Sequence, residues 1–206
     1  IGRAYLFNGD VLAFDSGTLS LAQAEWVFEG IEGDWAGYSL SSAGDVDNDG
    51  KGDILIGACF NDARGSNSGK TYFFYGATIL SYGYTGATID VADADVEFVG
   101  EWDAHRVGDV VTGPGDLDGD GRDDIFIGAN DSGAGDGHAY VFLSSSLSSF
   151  SSKTIEVSNA DYIFEGDRYF ASDIAFLNVD GDGYTDLLIG DWNDHYLPGY
   201  GQGSTF

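Results

Sequence analysis

The sequence is poor in cysteine, methionine, proline and positive charge. The shortage of cysteine excludes an internal disulfide, and the shortage of positive charge argues against two classes of partner. Its 206 residues include two prolines and one cysteine, so no internal disulfide can form. Only 8 Lys and Arg residues stand against 35 Asp and Glu residues, which gives a formal net charge of -27. This charge argues against nucleic acid or an anionic membrane surface as a partner. Because methionine is absent, we expect a mature product or a piece of a longer protein.

Long apolar runs are also missing. No stretch approaches the ~20 apolar residues of a membrane span, so we expect no membrane insertion, and no signal peptide is visible. Apolar spacing at i, i+3, i+4 and i+7 is not sustained in any window, so no substantial helix is predicted. The sequence is instead 43% hydrophobic and 15% aromatic, with 32 glycines. That composition is too apolar for disorder and suits short strands joined by tight turns.

An acidic nine-residue loop occurs three times, each time directly before a short apolar strand. The loops span 45–53, 116–124 and 178–186. Positions 1, 3, 5 and 9 carry a side-chain oxygen, position 6 is glycine, and position 7 can offer its backbone carbonyl. The predicted metal ligands are Asp45, Asp47, Asp49, Lys51, Asp53, Asp116, Asp118, Asp120, Arg122, Asp124, Asn178, Asp180, Asp182, Tyr184 and Asp186.

Carboxylates crowded in this way need a counter-charge, since each pair at about 4 Å repels by roughly 4 kcal/mol at an effective dielectric near 20. Ca²⁺ fits best because it accepts oxygens in flexible geometry, whereas Mg²⁺ requires a stricter octahedron. An EF-hand opens with the same spacing but needs a Glu at position 12, where this chain has Ile56, Ile127 and Ile189. We therefore expect three structural Ca²⁺ ions; solvated acidic turns are the alternative.

The loops belong to a longer repeat. The segment Gly2–Phe7 reappears at Gly69–Phe74 and Gly137–Phe142, and in weakened form at Gly201–Phe206. Another segment recurs at residues 24–30, 94–100 and 160–166. Both alternate small or polar residues with bulky ones, the period-two pattern of half-buried strands. Two more strands flank each acidic loop, so each unit holds four short strands.

This arrangement predicts an all-β fold of β-propeller blades, each a four-stranded antiparallel sheet. We expect one domain, 1–206, with repeats at about 2–68, 69–136 and 137–200 and the start of another at 201–206. A plain β-sandwich would not explain why the loop recurs in phase. About three blades are fewer than the four to eight of a closed ring. The ring is therefore expected to be incomplete, needing the rest of a longer chain or further copies to close.

The run Phe28, Gly37–Leu40, Asp45–Asp53 and Ile54–Ala58 resembles an FG-GAP repeat, the blade unit of the integrin α-chain β-propeller and of many bacterial surface proteins. The resemblance covers essentially the whole chain. It implies that each acidic loop is a Ca²⁺ site between the first and second strands of a blade. The third loop departs from the pattern because it begins with Asn178.

The resemblance also implies that the loops between strands 4 and 1 and between strands 2 and 3 lie opposite the Ca²⁺ loops. Integrin propellers meet their ligands on that face. Aromatic and Arg side chains often anchor recognition surfaces, and several fall in these loops; filling of gaps between blades is the alternative role of the aromatics. The ligand-face candidates are Trp35, Trp102, Arg106, Arg168, Tyr169, Trp192 and His195.

Nothing in the sequence indicates catalysis, and we predict no catalytic residue and no enzyme. His105, His138 and His195 occupy unrelated repeat positions, and there is no Gly-x-Ser-x-Gly elbow. His105 and His195 lie beside Asp103 and Asp194, either as acid–base pairs or as solvated loop residues. We predict a secreted or cell-surface calcium-binding module for recognition or adhesion, with a protein or glycan ligand. Alternatives are an accessory or catalytic propeller of a secreted polysaccharide-degrading enzyme, and a structural repeat of a surface layer or filament.

Overall fold

Short β-strands make up most of the regular structure. The computed structural model describes residues 1–9, 17–84, 86–113, 115–130, 136–167 and 169–191. The strands within them are β1 (Arg3–Leu6), β2 (Trp26–Glu29), β3 (Ser39–Gly44), β4 (Asp53–Ala58), β5 (Lys70–Phe74), β6 (Ala87–Asp90), β7 (Val96–Val99), β8 (Val107–Thr112), β9 (Ile125–Ala129), β10 (Gly137–Phe142), β11 (Thr154–Glu156), β12 (Tyr162–Gly166), β13 (Phe170–Leu177) and β14 (Asp186–Asp191). Two short helices are α1 (Gly76–Ser81) and α2 (Ser144–Leu147), and single 3-10 turns lie at Leu21–Gln23, Val91–Asp93 and Val157–Asn159.

Two sheets each contain a complete blade of four antiparallel strands. The first complete blade has the order β3-β4-β5-β7, and the second has the order β8-β9-β10-β12. In both blades the acidic loop joins strand 1 to strand 2, as the sequence predicted. The prediction of propeller-type four-stranded blades is therefore confirmed.

Two further sheets contain halves of blades. β1 and β2 pair as strands 3 and 4 of a blade, because β1 repeats the sequence of β5 and β10. β13 and β14 pair as strands 1 and 2, because an acidic loop connects them. The described residues thus form two complete blades flanked by two halves, which agrees with the expected incomplete ring of about three blades.

Two repeats also contain a fifth strand and a helix that the sequence analysis did not predict. β6 pairs in parallel with β2, and β11 pairs in parallel with β7. Each repeat therefore extends the sheet of the repeat before it. These strands have only 4 and 3 residues, and the two helices have 6 and 4, which is too short for a period to be recognised. In the described part of the chain, no helix is long and apolar enough to cross a membrane.

The core lies between neighbouring blades. Leu55, Phe73 and Phe98 of the first complete blade pack against Val107 and Ile125 of the second, and all five are fully buried. The strands after the first two acidic loops, β4 and β9, are apolar runs because their two faces meet different blades. The packing holds the blades in fixed order and aligns their loops.

Candidate calcium loops and the opposite face

Each acidic loop curls around its own side chains. In the first loop, the backbone N–H groups of Asp49 and Gly50 donate to the two carboxylate oxygens of Asp45, both at 2.9 Å. The second loop repeats these bonds at the equivalent positions, at 3.1 and 2.9 Å. The curl turns the remaining carboxylates toward one another.

Two positions in each loop have a left-handed backbone. One is the glycine at position 6, for example Gly50 with φ 83°, which the sequence analysis had singled out. The other is position 4, occupied by Asn48 with φ 58°, Gly119 with φ 76° and Gly181 with φ 75°. Asn tolerates this region better than other non-glycine residues. The sequence analysis missed position 4, although every copy has Asn or Gly there.

The carboxylates at positions 1, 3 and 5 converge in the first two loops. In each loop, the three groups offer one oxygen each, and these oxygens lie within 4.8 Å of one another. Oxygens that share one Ca²⁺ at 2.3–2.6 Å are at most about 5 Å apart, so the spacing fits a shared ion. Lys51, at position 7, places its Nζ 2.5 Å from Oδ2 of Asp49. The converging groups are Asp45, Asp47 and Asp49, and Asp116, Asp118 and Asp120.

In the first two loops, the carboxylate at position 9 is buried and ties the loop to the rest of its blade. In Asp124, Oδ2 accepts a hydrogen bond from the backbone N–H of Leu117 at 2.7 Å, and Oδ1 accepts one from that of Ser144 at 2.9 Å. Ser144 is the first residue of α2. Asp53 makes the equivalent two bonds, both at 2.8 Å. Position 9 therefore closes the loop and fixes the start of the helix between strands 3 and 4, a role that the sequence analysis missed.

Burial raises the pKa of Asp53 and that of Asp124 to about 6. Desolvation is the main cause, and the nearby position 1 and 3 carboxylates add to it, while the backbone hydrogen bonds oppose the shift. Without a cation, a negative charge on Asp53 or Asp124 is therefore less favourable in the folded chain than in water.

We expect the calcium-free chain to become more stable when the pH is lowered from about 7 to about 5. A carboxyl group whose folded-state pKa is raised binds its proton more tightly in the folded than in the unfolded chain, so stability falls as the pH rises through this window. With calcium present, protons compete with the ion for the carboxylates, so the calcium-loaded chain should become less stable as the pH falls. Thermal melts of dialysed and calcium-loaded protein at both pH values measure the effect, and a calcium-free chain that is less stable near pH 5 would contradict the expectation.

The third loop has a similar backbone but one carboxylate fewer. Oδ1 of Asn178 accepts a hydrogen bond from the backbone N–H of Gly181 at 2.7 Å. Asp186 accepts one from the loop backbone at 2.6 Å. The position 7 residue, Tyr184, packs its ring against the second loop, where a Cβ on Gly119 would lie 2.8 Å from it. The loop therefore offers a weaker but recognisable version of the same oxygen arrangement.

The three loops lie side by side and contact one another across the blade boundaries. The backbone N–H of Asp45 donates to Oδ2 of Asp123 at 2.9 Å. The N–H of Thr185 donates to the carbonyl oxygen of Asp116 at 3.3 Å. Asp123, at position 8, thus points out of its own loop and bonds the neighbouring one. The acidic loops form one continuous face of the molecule.

The loops predicted to form a ligand face meet at the opposite ends of the strands. The backbone N–H of Ala104 donates to the carbonyl oxygen of Ser66 at 2.7 Å. The N–H of Ser66 in turn donates to Oδ1 of Asp103 at 2.9 Å. These bonds join the strand 2–3 loop of the first complete blade to the loop that leads into the second. These two loops of the predicted ligand face therefore lie together.

An aromatic cluster, formed by Trp35, Tyr38, Phe60 and Arg106, lies on this face. Ring centroids of Trp35 and Tyr38 are 4.9 and 5.8 Å from that of Phe60, and the Arg106 guanidinium carbon is 4.9 Å from the same centroid. Trp35 is 59% exposed. Trp35 and Arg106 both lie ten residues before an acidic loop, and both have a φ of 58°. The structure thus brings two predicted ligand-face residues together with Tyr38 and Phe60, which our candidate set omitted.

Trp102 is 39% exposed and also packs against a buried side chain. Its ring stacks on that of His105 with centroids 3.5 Å apart. His105 is fully buried, with Nε2 at 2.7 Å from the Tyr140 hydroxyl and Nδ1 accepting a hydrogen bond from the backbone of Glu101. Burial lowers the pKa of His105 to about 3, so the ring is neutral. Both roles considered for His105, a solvated loop residue and an acid–base partner of Asp103, are therefore wrong.

Four ligand-face candidates remain, and the structure describes one of them. Tyr169 is half-buried directly before β13. Arg168, Trp192 and His195 lie outside the described residues.

Comparison with known proteins identifies the repeats. Residues 116–189 match the family model described as FG-GAP-like repeat, and residues 36–74 match the one described as FG-GAP repeat. Integrin alpha-PS2 of Drosophila melanogaster is 32% identical in an alignment of 168 residues that covers 77% of this chain and 11% of that protein. Integrin alpha-4 of Xenopus laevis is 24% identical in an alignment of 196 residues that covers 92% of this chain and 17% of that protein. The chain therefore spans less than a fifth of the length of these relatives.

Proposed function

The chain is an FG-GAP repeat protein that resembles the integrin α propeller, and we propose that it is a calcium-binding recognition or adhesion module acting at the cell surface or outside the cell. The converging carboxylates of the acidic loops are the observation that carries this proposal. Their oxygen spacing suits Ca²⁺, and their position between strands 1 and 2 suits a structural ion.

In each loop, the ion would be held by the side chains at positions 1, 3, 5 and 9 and by the backbone carbonyl at position 7. Its chemistry is electrostatic: a divalent cation removes the repulsion among the carboxylates and joins the two ends of the loop. Asp53 and Asp124 keep their backbone hydrogen bonds in this arrangement, because a carboxylate oxygen has lone pairs for both partners. The third loop, which has Asn178 at position 1, would bind most weakly because it offers less negative charge.

Recognition is assigned to the face opposite the calcium loops. The aromatic cluster supports this assignment because it presents a Trp that is largely in solvent beside an Arg that sits on an aromatic ring. Exposed aromatic groups of this kind are common anchors for protein and glycan ligands. We infer that the module is not an enzyme, and the buried, neutral state of His105 supports that inference.

Trp35→Ala should remove most of the ligand binding with little change in the thermal melt. The side chain is largely exposed, and hot-spot aromatics lose about 2 kcal/mol or more of binding energy on truncation. Arrays of glycans and of extracellular-matrix proteins, probed with the wild-type chain and the variant in calcium, measure this change.

Trp102→Ala is the matched control, since that ring packs on buried His105. It should lower the melting temperature instead. Full binding by Trp35→Ala would contradict the assignment of the face, and turnover of a polysaccharide by the wild-type chain would contradict the non-enzymatic function.

A further inference from the structure

The sequence contains six Asp–Gly pairs, and five of them lie in the acidic loops. In such a pair, the backbone nitrogen of the glycine can attack the side-chain carboxyl carbon of the aspartate, because glycine has no Cβ to hinder the approach. A glycine N–H that is held in a hydrogen bond must leave its acceptor first. The pairs are Asp49–Gly50, Asp118–Gly119, Asp120–Gly121, Asp136–Gly137, Asp180–Gly181 and Asp182–Gly183.

The pairs at positions 5 and 6 have the same local geometry in all three loops. Gly50, Gly121 and Gly183 have φ values of 83°, 88° and 97°. Apart from their chain neighbours, no described atom lies within 4 Å of the place where a Cβ would be, and all three pairs are exposed. Oδ1 of each aspartate accepts a hydrogen bond at 2.9 Å from the backbone N–H two residues further on. Crowding and access to solvent therefore do not distinguish the three pairs.

The hydrogen bond of the glycine N–H does distinguish them. In the first two loops, this N–H donates to the carboxylate at position 1. The bond runs from Gly50 to Oδ2 of Asp45 and from Gly121 to Oδ2 of Asp116, at 2.9 Å in both loops. Hydrogen bonds to charged acceptors are stronger than those between neutral groups. Each of these two nitrogens is therefore held away from the reaction.

The third loop lacks this acceptor. Its position 1 residue is Asn178, whose side chain has a single oxygen, and that oxygen accepts the N–H of Gly181 at 2.7 Å. The amide nitrogen of Asn178 cannot serve as a second acceptor, because it is itself a donor. Within the described part of the chain, the N–H of Gly183 donates to no acceptor.

The other Asp–Gly pairs also have occupied N–H groups. Gly119 donates to Oδ1 of Asp116 at 2.7 Å. Gly137 donates to the carbonyl oxygen of Asp167 at 3.1 Å. Among the six pairs, all of which the structure describes, Asp182–Gly183 is therefore the one with a free glycine N–H.

We propose that Asp182–Gly183 is a site of spontaneous isoaspartate formation. The nitrogen of Gly183 bonds to Cγ of Asp182 and closes a succinimide ring. One carboxyl oxygen leaves as water, together with its own proton and the proton of the nitrogen. A second water molecule then opens the ring. Opening at Cγ restores aspartate, whereas opening at the main-chain carbonyl carbon gives isoaspartate, so the reaction needs neither an oxidant nor a reductant.

The rearrangement changes the third loop and leaves the first two as they are. It inserts the side-chain methylene of Asp182 into the main chain and leaves a shorter carboxylate at position 5. Thr185, three residues further on, carries the N–H that bonds the carbonyl oxygen of Asp116 in the second loop at 3.3 Å. Isoaspartate at position 5 therefore alters both the oxygen arrangement of the third loop and its contact with the second.

Peptide mapping of the full chain tests the proposal. The chain is held in EGTA at neutral pH, below the melting temperature measured in that buffer, and electron-transfer fragmentation separates isoaspartate from aspartate at each position. Isoaspartate should form at Asp182 about fivefold or more faster than at Asp49 or Asp120. In concentrated urea, which removes the hydrogen bonds, the three pairs should react at similar rates. The single Asn–Gly pair, Asn8–Gly9, can form the same ring with loss of ammonia and is scored separately.

Three results would overturn the proposal. These are equal rates at the three position 5 aspartates of the folded chain, a faster reaction at any other Asp–Gly pair, and no isoaspartate at Asp182 by the time the urea sample has reacted.

Reciprocal substitutions at position 1 test the cause. Asn178→Asp supplies the missing acceptor and should slow the reaction at Asp182 to the rate found at Asp120. Asp116→Asn removes the acceptor from the second loop and should raise the rate at Asp120 to that found at Asp182 in the wild-type chain. Thermal melts show that both variants remain folded during the incubation. An Asn178→Asp variant that forms isoaspartate at Asp182 as fast as the wild-type chain would contradict the role of the position 1 acceptor.

Discussion

Removal of calcium should lower the melting temperature of the chain by about 5–10 °C for every occupied loop. An ion present at about 100 times its dissociation constant adds about 2.7 kcal/mol to the folded state. In a chain of this length, 1 kcal/mol shifts the melting temperature by about 2–4 °C. Scanning calorimetry with excess EGTA and with calcium, in low salt, measures the difference. An unchanged melt would show that the acidic loops are solvated turns.

Asp118→Ala provides the control for this experiment. It removes the position 3 ligand of the second loop, so the response to calcium should shrink by the contribution of one site. Titration calorimetry should then count one tight site fewer than in the wild-type chain. Excess magnesium should restore less stability than calcium does, because the loops offer flexible, oxygen-rich coordination.

Asp124→Ala should destabilise the chain by about 2–4 kcal/mol even without calcium. The substitution leaves the N–H groups of Leu117 and Ser144 without their acceptor, and each buried unsatisfied group costs about 1–3 kcal/mol. Loss of a buried charge offsets part of this effect, because burial raises the pKa of Asp124 to about 6. Urea denaturation in EGTA measures the change.

The matched control is Asp186→Ala in the third loop. Asp186 is half-buried, so solvent can replace its bond to the backbone of Val179. This substitution should have a smaller effect than Asp124→Ala. Equal effects would mean that the second hydrogen bond, to the start of α2, contributes nothing to stability.

The blades and loops could be predicted because their signals are local and repeated. The acidic loop and the strand after it are contiguous, and three copies in phase distinguish a repeat from a chance turn. α1, α2, β6 and β11 could not be predicted in the same way. They are too short for a period, and β6 and β11 are strands only because a sheet of the preceding repeat offers them an edge.

For the acidic loops and the opposite face, likewise, local features could be predicted from the sequence and contacts between distant segments could not. Spacing alone predicted that the side chains at positions 1, 3 and 5 would lie together, and in the first two loops their carboxylate oxygens do so. The second role of Asp124 depends on Ser144, 20 residues further along the chain. The buried state of His105 depends on Tyr140, in a different strand. Contacts between distant segments of this kind leave no pattern in a single sequence.

The parallel pairing of β11 with β7 imposes an order on folding during synthesis. The sheet of the first complete blade receives its last strand only when Thr154–Glu156 of the following repeat has left the ribosome. At about 5–20 residues per second, that segment emerges several seconds after β7. Until then, the outer edge of β7 has no neighbouring strand. A nascent chain that stops between β7 and β11 would expose that edge to pairing with other polypeptides.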